Sequence, residues 1–311
     1  MKSIRYALRI FSLVCFVAIS QQALAITIFT CEPEWHALAT EIAGNEANVY
    51  VATSANQDPH HVQARPSLIS AVRRADLVFC TGGGLESGWL PVLLSKGSNP
   101  EVQRAPGLLL AAEQVALLEK PVLLDRAEGD IHASGNPHVH LDPRRILIIA
   151  EKLKDRLIEI DAKDANGYQK RFDAFHQRWQ KNIQHWEQQA APLRNTPVIV
   201  HHRSWSYLLD WLGIRQVGEL EPKPGIPPTP AHLASLISTT QTEHAQLILF
   251  TRYNGDKAAK WLTQRSDACA VELPFTVGGD DYSASLDELF SRLIDTLVTT
   301  QTNCNKSGAH D

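Results

Sequence analysis

The sequence predicts an α/β protein of two lobes, each with a parallel four-stranded sheet flanked by helices, joined by one long rigid interlobe helix. Short apolar and β-branched runs alternate with amphipathic helical segments in both halves of the chain, as in parallel βα units. A long stretch without strand-like runs separates these halves. The length of 311 residues also favours two domains over one.

Composition excludes several other classes of protein. With 44% hydrophobic and 21% charged residues, the chain is unlike disordered, collagen-like or coiled-coil sequences. The formal net charge is -4, and no lysine- or arginine-rich run occurs, so neither nucleic acid nor an anionic membrane surface is an expected partner. Thirteen histidines are the one unusual count.

Residues 1–25 predict a cleaved secretory signal. They contain a basic start, an apolar run over residues 8–19 and a small-x-small cleavage site at residues 23–25. The apolar run is too short to span a membrane. Cys15 follows Val14, whereas a lipid-attachment cysteine normally follows a small residue, so we expect no lipid anchor.

Four cysteines remain after the signal, an even number in an oxidising compartment, and their spacing fits no C-x-x-C zinc pattern. A bond between Cys269 and Cys304 would fix the C-terminal tail to a strand-like segment. Cys31 and Cys80 both end strand-like runs, and they are either bonded or two buried thiols.

The first lobe is predicted over residues 26–163. Its strands are expected at residues 26–30, 48–53, 77–80 and 121–124, with helices at residues 35–44, 67–74 and 86–95. Asp142 as N-cap and Pro143 at the first helical position begin a further helix that runs to about residue 160.

The interlobe helix is predicted over residues 164–190. Its apolar residues recur every three or four positions and so form one face of a continuous helix: Tyr168, Phe172, Phe175, Trp179, Ile183 and Trp186. A helix of this length extends about 39 Å, which is long enough to cross from one lobe to the other.

The second lobe is predicted over residues 191–311. Strands are expected at residues 198–200, 216–218, 247–250 and 270–273, and helices at residues 205–212, from 231, 257–264 and 285–300. The proline-rich stretch at residues 221–230 is predicted to be a loop that ends at a helix capped by Thr229.

Histidines are concentrated where strands or loops meet helices. Their groups are residues 60–61, 138 with 140, and 201–202. Ligands bind at the carboxyl ends of strands in open α/β sheets, and imidazole is the commonest metal ligand. Three separate groups at such positions predict one metal site assembled between the lobes.

The sequence His138-x-His140-x-Asp142 is similar to the first half of the metallo-β-lactamase-type hydrolase motif. That motif requires a further histidine after the aspartate, and Pro143 occupies the position here. We therefore favour a metal-binding protein over a secreted zinc hydrolase, which remains the alternative.

Several motifs together resemble the solute-binding proteins of zinc and manganese ABC transporters. The segment 136–143, NPHVHLDP, resembles that family's D-P-H-x-W-L-D-P, with Asn136 for the first aspartate and His140 for tryptophan. The segment 202–208 resembles H-D-A-Y-x-Y-F. Further matches lie at residues 58–60, 65–67, 75–79 and 83–89, so the resemblance covers nearly the whole mature chain.

This resemblance implies a monomeric, periplasmic, non-enzymatic receptor that delivers a metal ion to a membrane permease. By position, the metal ligands are His60, His138 and His202. Their neighbours are then either hydrogen-bond partners of the ligands, outside the metal shell, or residues without a role at the site: His61, His140 and His201. Three imidazoles suit zinc, whereas manganese prefers more oxygen ligands, so we expect Zn²⁺ with Mn²⁺ as the alternative.

The fourth ligand is where the chain departs from the family pattern. Asp280, which follows two glycines, is the first choice, with Asp281, Glu272 or water as alternatives. The loop before His138 is short, and in it His132 either captures metal transiently or is simply solvated. Each ligand histidine also needs a hydrogen-bond partner for the ring nitrogen that does not bind metal, and the candidates are Asp58, Glu86 and Asp142.

Overall fold

The computed structural model describes residues 25–121 and 132–307, so the predicted signal lies almost wholly outside the described residues. The first lobe contains strands β1 (Thr27–Thr30), β2 (Asn48–Val51), β3 (Leu77–Cys80) and β4 (Leu108–Leu110), all parallel, in the order β2-β1-β3-β4. Helices α1 (Pro33–Ala43), α2 (Pro66–Arg73) and α3 (Leu90–Gly97) connect or follow these strands.

The fourth strand of this sheet differs from the prediction. It is Leu108–Leu110, which pairs with Val78–Cys80 of β3, whereas the predicted strand at residues 121–124 begins at an irregular Pro121 and otherwise lies outside the described residues. Both segments are short apolar runs. Only the pairing with β3, a tertiary contact, distinguishes them.

Two helices follow the first sheet, α4 (Pro143–Ile160) and α5 (Ala165–Gln189). The Asp142 side chain accepts the Arg144 N–H at 2.9 Å, which confirms the predicted cap of α4. Helix α5 has 25 residues, and its aromatic face is buried as the periodicity predicts.

The second lobe repeats the strand order of the first. Its parallel sheet has the order β6-β5-β7-β8, built from β5 (Pro197–Val200), β6 (Arg215–Glu219), β7 (Leu247–Phe250) and β8 (Cys269–Glu272). The accompanying helices are α6 (Ser206–Leu212), α7 (Pro230–Glu243), α8 (Lys257–Thr263) and α9 (Leu286–Ser307). Two four-stranded parallel sheets with flanking helices and a long connecting helix confirm the predicted fold class.

One buried apolar cluster continues from the first lobe through α5 into the second. It includes Trp35 of α1, Trp179 and Trp186 of α5 and Phe290 of α9. The Trp179 indole N–H donates to the Pro143 carbonyl at 2.8 Å, and the Trp186 ring stacks on Phe290. Helix α5 therefore packs on both lobes, while the lobe limits at residues 163 and 190 stay a prediction.

Two disulfides lie in the described residues. Cys31–Cys80 joins the ends of β1 and β3, and Cys269–Cys304 joins β8 to the end of α9. The predicted link between the C-terminal helix and a strand is thereby confirmed, and the two alternatives for Cys31 and Cys80 resolve in favour of a bond. None of the helices in the described ranges is long and apolar enough to cross a bilayer.

Candidate metal centre

His60 lies in the loop after β2, where Asp58 fixes its ring. Asp58 Oδ1 accepts the His60 backbone N–H at 3.0 Å and lies 2.7 Å from ring Nδ1. The Trp89 indole N–H donates to the Pro59 carbonyl at 2.9 Å and holds the same loop. With Nδ1 bonded to a carboxylate, Nε2 is the ring atom left to bind a metal.

His138 stands directly before α4, and only 2% of its surface is exposed. Asn136 Oδ1 accepts its backbone N–H at 3.0 Å. Neither ring nitrogen has a hydrogen-bond partner among the described residues. Burial, followed by the nearby imidazoles of His60 and His202, holds the pKa of His138 well below its usual value. The ring is therefore neutral at pH 7, and its lone pair is available to a metal ion.

His202 follows β5 in the second lobe, and a carboxylate also fixes its ring. Nδ1 lies 2.7 Å from Glu221 Oε2, which leaves Nε2 for a ligand. The same Glu221 oxygen accepts the Gly225 backbone N–H at 2.9 Å. Glu221 therefore connects His202 to the proline-rich loop at residues 221–230.

These three side chains, from here on the histidine triangle, meet between the lobes. Their ring centroids are 5.6 Å apart for His60 and His138, 5.9 Å for His60 and His202, and 5.8 Å for His138 and His202. One ligand atom from each lies within 4.8 Å of the others. An ion bound there would hold residues from both lobes together.

A fourth histidine, His132, lies beside the triangle. Its Nε2 is 3.3 Å from His60 Nε2, and the ring centroids are 5.3 Å apart. Burial lowers the pKa of His132 to about 4, with further contributions from His60 and His202. Sequence reasoning left this residue as a transient or solvated group, and 72 positions separate it from the His60 that it contacts.

The remaining paired histidines do not line the triangle. His140 Nε2 lies 3.1 Å from the Phe275 carbonyl, and its Nδ1 lies 3.4 Å from Glu34. His201 faces the other Glu221 oxygen at 3.8 Å. His61 is exposed. The other member of each pair, His60, His138 or His202, belongs to the close group of ring nitrogens, and its role as the metal ligand stays a prediction.

None of the three predicted carboxylates belongs to the close group of ligand atoms in the triangle. Asp280 Oδ2 accepts the Arg292 Nε–H at 2.7 Å, Glu272 accepts that of Arg252 at 3.0 Å, and Asp281 is exposed. Among the described side chains, only the three histidines form the close ligand group there. Asp280 as fourth ligand stays a prediction, and binding would require it to leave Arg292.

Two of the three expected outer partners are bonded elsewhere. Asp58 is the partner of His60, as expected. Asp142 instead caps α4 and pairs with Arg144 and Arg145, and Glu86 accepts backbone N–H groups of the loop after β3. The partner that sequence reasoning missed is Glu221, a residue 19 positions from His202.

A cavity of about 310 Å³ adjoins the triangle. Its lining includes His132, His138 and His202, together with Glu119 and Arg203. The cavity gives a metal ion access to two triangle members and to His132.

The chain is similar to known metal-uptake proteins in sequence and in structure. Residues 28–300 match the family model described as zinc-uptake complex component A, periplasmic (ZnuA). The chain is also 23% identical over 273 residues to the zinc-binding lipoprotein AdcA of Streptococcus pneumoniae (strain ATCC BAA-255 / R6), which covers 86% of the chain and 54% of AdcA.

A second curated relative is the manganese-binding lipoprotein MntA of Halalkalibacterium halodurans, 25% identical over 199 residues, covering 63% of the chain and 61% of MntA. The chain thus spans little more than half the length of these curated relatives. A crystal structure of ZnuA superposes with a TM-score of 0.73 at 22% identity, covering 90% of this chain and 98% of that one. This likeness establishes a shared fold.

Proposed function

The chain belongs to the ZnuA family of zinc-uptake components, and from this membership we propose that it is a periplasmic receptor that binds zinc and delivers it to the permease of an ABC importer. The metal is the transported cargo. Its ligands are His60 in the loop after β2, His138 before α4, and His202 after β5 of the second lobe. Its working form is a monomer, exported by the signal at residues 1–25.

The observation that supports this proposal is the histidine triangle itself. His138 is buried with both ring nitrogens unpartnered among the described residues, an arrangement that is unfavourable unless a ligand is to be bound there. The Nδ1 atoms of His60 and His202 are held by carboxylates, so their Nε2 atoms are oriented before a metal arrives.

Ligand chemistry favours zinc over manganese. Neutral imidazoles bind Zn²⁺ at about 2.0–2.1 Å in tetrahedral sites, whereas Mn²⁺ prefers carboxylate, carbonyl and water oxygens in larger shells. Both metals occur in the names of relatives, zinc in that of AdcA and manganese in that of MntA. A site built from three imidazoles belongs with the zinc-binding proteins.

The hydrolase alternative finds little support in the same residues. Its motif would use His140 and Asp142, but His140 Nε2 is hydrogen-bonded to the Phe275 carbonyl and its Nδ1 lies 3.4 Å from Glu34, and Asp142 pairs with two arginines. No residue of that motif other than His138 belongs to the triangle. A binding role therefore accounts for the geometry better than hydrolysis.

Delivery follows from ligands that lie on both lobes. A bound ion would fix the ring nitrogens of His60, His138 and His202, which lie within 4.8 Å of one another, at the separation of about 3.3–3.4 Å that a tetrahedral zinc ion imposes. The loaded and empty forms would then differ at the surface formed by these loops. A permease can recognise that difference if it binds the two forms with different affinities.

The test is a metal titration of protein that has been stripped with chelator. We expect one Zn²⁺ per chain, bound more tightly than Mn²⁺, with large losses of affinity in His60→Ala and His202→Ala. The matched control is His185→Ala, an exposed histidine on α5. Absence of a 1:1 zinc site in the unaltered protein, or equal affinity in all three variants, would overturn the proposal.

A further inference from the structure

We propose that His132 is the fourth protein ligand of the zinc ion, which makes the site a cage of four imidazoles. This inference rests on the proposed function and identifies the group that completes the same site. It also assigns a role to the segment immediately before His138, whose histidine lies beside the triangle.

The spacing of two ring nitrogens carries the proposal. Because Asp58 holds His60 Nδ1, His60 Nε2 is the metal-binding atom, and His132 Nε2 lies 3.3 Å from it. In a tetrahedron with zinc–nitrogen bonds of about 2.0–2.1 Å, two ligand nitrogens are separated by about 3.3–3.4 Å. The two imidazoles therefore already have the separation that a tetrahedral zinc ion requires.

The surroundings of His132 orient its ring toward the site. Gly84, in the loop after β3, has a φ of +95°, and a Cβ there would lie 3.2 Å from His132 Nδ1. The absence of a side chain at this glycine makes room for the Nδ1 side of the imidazole, and the other ring nitrogen, Nε2, faces His60. His132 also lines the cavity shared with His138 and His202.

Completing the shell requires a movement of His132. Its ring centroid is 6.4 Å from that of His138, and it is not part of the group whose ligand atoms all lie within 4.8 Å of one another. A metal ion would draw the ring toward His138 and His202. The His132 carbonyl accepts the Gly135 backbone N–H at 3.0 Å, so we expect rotation of the His132 side chain to bring its ring nearer.

The competing fourth ligand has a stronger existing bond. Asp280 is held by the Arg292 guanidinium and by the Tyr282 backbone N–H at 3.0 Å. Coordination by Asp280 would leave Arg292 without this carboxylate. His132 breaks no ion pair when it binds, because its nitrogen contact is the neighbouring imidazole of His60.

Four imidazoles also define the selectivity of the site. A shell of four neutral nitrogen ligands contains no oxygen and has no carboxylate charge, so it favours Zn²⁺ and disfavours Mn²⁺. Removing His132 should therefore narrow the difference in affinity between the two metals.

The experiment compares His132→Ala, Asp280→Asn and the control His185→Ala in the full chain. Zinc affinity is measured by competition with a chelator, and Co²⁺ is used as a spectroscopic probe of the ligand shell. We expect His132→Ala to lower zinc affinity by at least about 10- to 100-fold, the range that loss of an outer partner already causes, and to change the Co²⁺ absorption spectrum. Asp280→Asn and the control should match the unaltered protein.

A ligand-competent substitution keeps the test independent of folding. His132→Asp should regain part of the lost zinc affinity, whereas a purely structural role would not be rescued by it. If the unaltered protein binds zinc but His132→Ala retains its affinity and spectrum, this inference fails alone. A loss of zinc affinity in Asp280→Asn, with none in His132→Ala, would instead identify Asp280 as the fourth ligand. If the unaltered protein binds no zinc, the proposed function fails as well.

Discussion

The histidine triangle and a second group, formed by Cys31, Cys80 and Glu86, each bring three potential metal-ligating atoms within 4.8 Å of one another. In the second group, named here the cysteine–glutamate group, the two sulfurs are bonded to each other. Its carboxylate accepts the Thr81 backbone N–H at 2.7 Å. In the triangle, by contrast, both ring nitrogens of His138 have no hydrogen-bond partner among the described residues, and His60 Nε2 contacts the neighbouring imidazole of His132.

The difference shows that closeness of ligand atoms does not by itself make a metal site. The cysteine–glutamate group lies at the carboxyl ends of β1 and β3, where neighbouring connections leave a sheet in opposite directions and ligands often bind. Its polar groups are used to stabilise the lobe. The triangle instead leaves buried His138 unsatisfied, so it decreases the stability of the metal-free protein in return for affinity.

The largest expected effect comes from filling the triangle with an apolar side chain. His138→Leu should lower zinc affinity by about 100-fold or more, since structural zinc sites bind with about 10–16 kcal/mol over four ligands. It should also raise the free energy of unfolding of the metal-free protein by about 1 kcal/mol, because an unpaired buried polar group is removed.

Chelator competition and urea unfolding in the presence of chelator measure these two effects. The matched control is His176→Leu on α5, a partly exposed histidine away from the triangle. A lower free energy of unfolding for metal-free His138→Leu would show that the imidazole stabilises the fold, contrary to this prediction.

Removing the disulfide of the cysteine–glutamate group should lower the stability of the fold and leave zinc binding unchanged. Cys31→Ala with Cys80→Ala should lower the free energy of unfolding by about 2–4 kcal/mol, because the bond closes a loop with a sequence separation of 49. Zinc stoichiometry should stay the same. Thermal unfolding and metal titration test both statements, with the Cys269 and Cys304 double alanine variant for comparison, and loss of zinc binding would contradict the separation of the two groups.

A smaller effect is expected from the carboxylate behind His202. Glu221→Gln should weaken zinc binding by about 10- to 100-fold, because the ring loses the partner that fixes Nδ1 and makes Nε2 more basic. The control is Glu272→Gln, an exposed carboxylate of the same lobe that pairs with Arg252. Equal zinc affinities for the two variants would mean that Glu221 does not act through His202.

The smallest effect concerns pH and the carboxyl of the cysteine–glutamate group. Burial raises the pKa of Glu86 from its ordinary value to about 7, although backbone N–H groups of Thr81 and Gly82 oppose the shift. Its neighbour Glu32 is also buried, and burial together with the charges of Glu86 and Glu34 raises the pKa of Glu32.

The folded protein therefore binds more protons than the unfolded chain between the ordinary pKa of Glu86 and about 7. The stability from this carboxyl is complete below the ordinary value and is lost as pH rises through about 7. In urea unfolding of metal-free protein, the change in the free energy of unfolding from pH 5 to pH 8 should be more positive by about 1–2 kcal/mol in Glu86→Gln than in the unaltered protein. Equal changes in the two proteins would remove Glu86 as a contributor.

Local sequence was sufficient for most of the fold, and it singled out the three histidines that the structure brings together. The cap at Asp142, the aromatic period of α5 and the strand–helix alternation are set by neighbouring residues, and the structure follows them. Helix α3 begins at Leu90 rather than at residue 86 because the Glu86 carboxylate turns back to the loop after β3. That contact depends on tertiary structure.

The same limit applies to the residues around the triangle. Asp58 is two positions from His60, and the sequence indicated their pairing. Glu221 and His132 meet their partners across 19 and 72 positions, so no local pattern could identify them. Asp142 is four positions from His138 along the chain, and Glu86 is 26 positions from His60. Other donors bind both carboxylates, Arg144 for the first and the Thr81 N–H for the second.

Helix α5 has a consequence for the energetics of a transport cycle. Because its aromatic face shares one buried core with both lobes, packing that involves no metal holds close together the loops that carry the three histidines. The apparent affinity is then not reduced by a small population of binding-competent molecules. Capture in the proposed cycle proceeds spontaneously, and the work falls on release, where the importer must supply the energy that separates the loops from the ion.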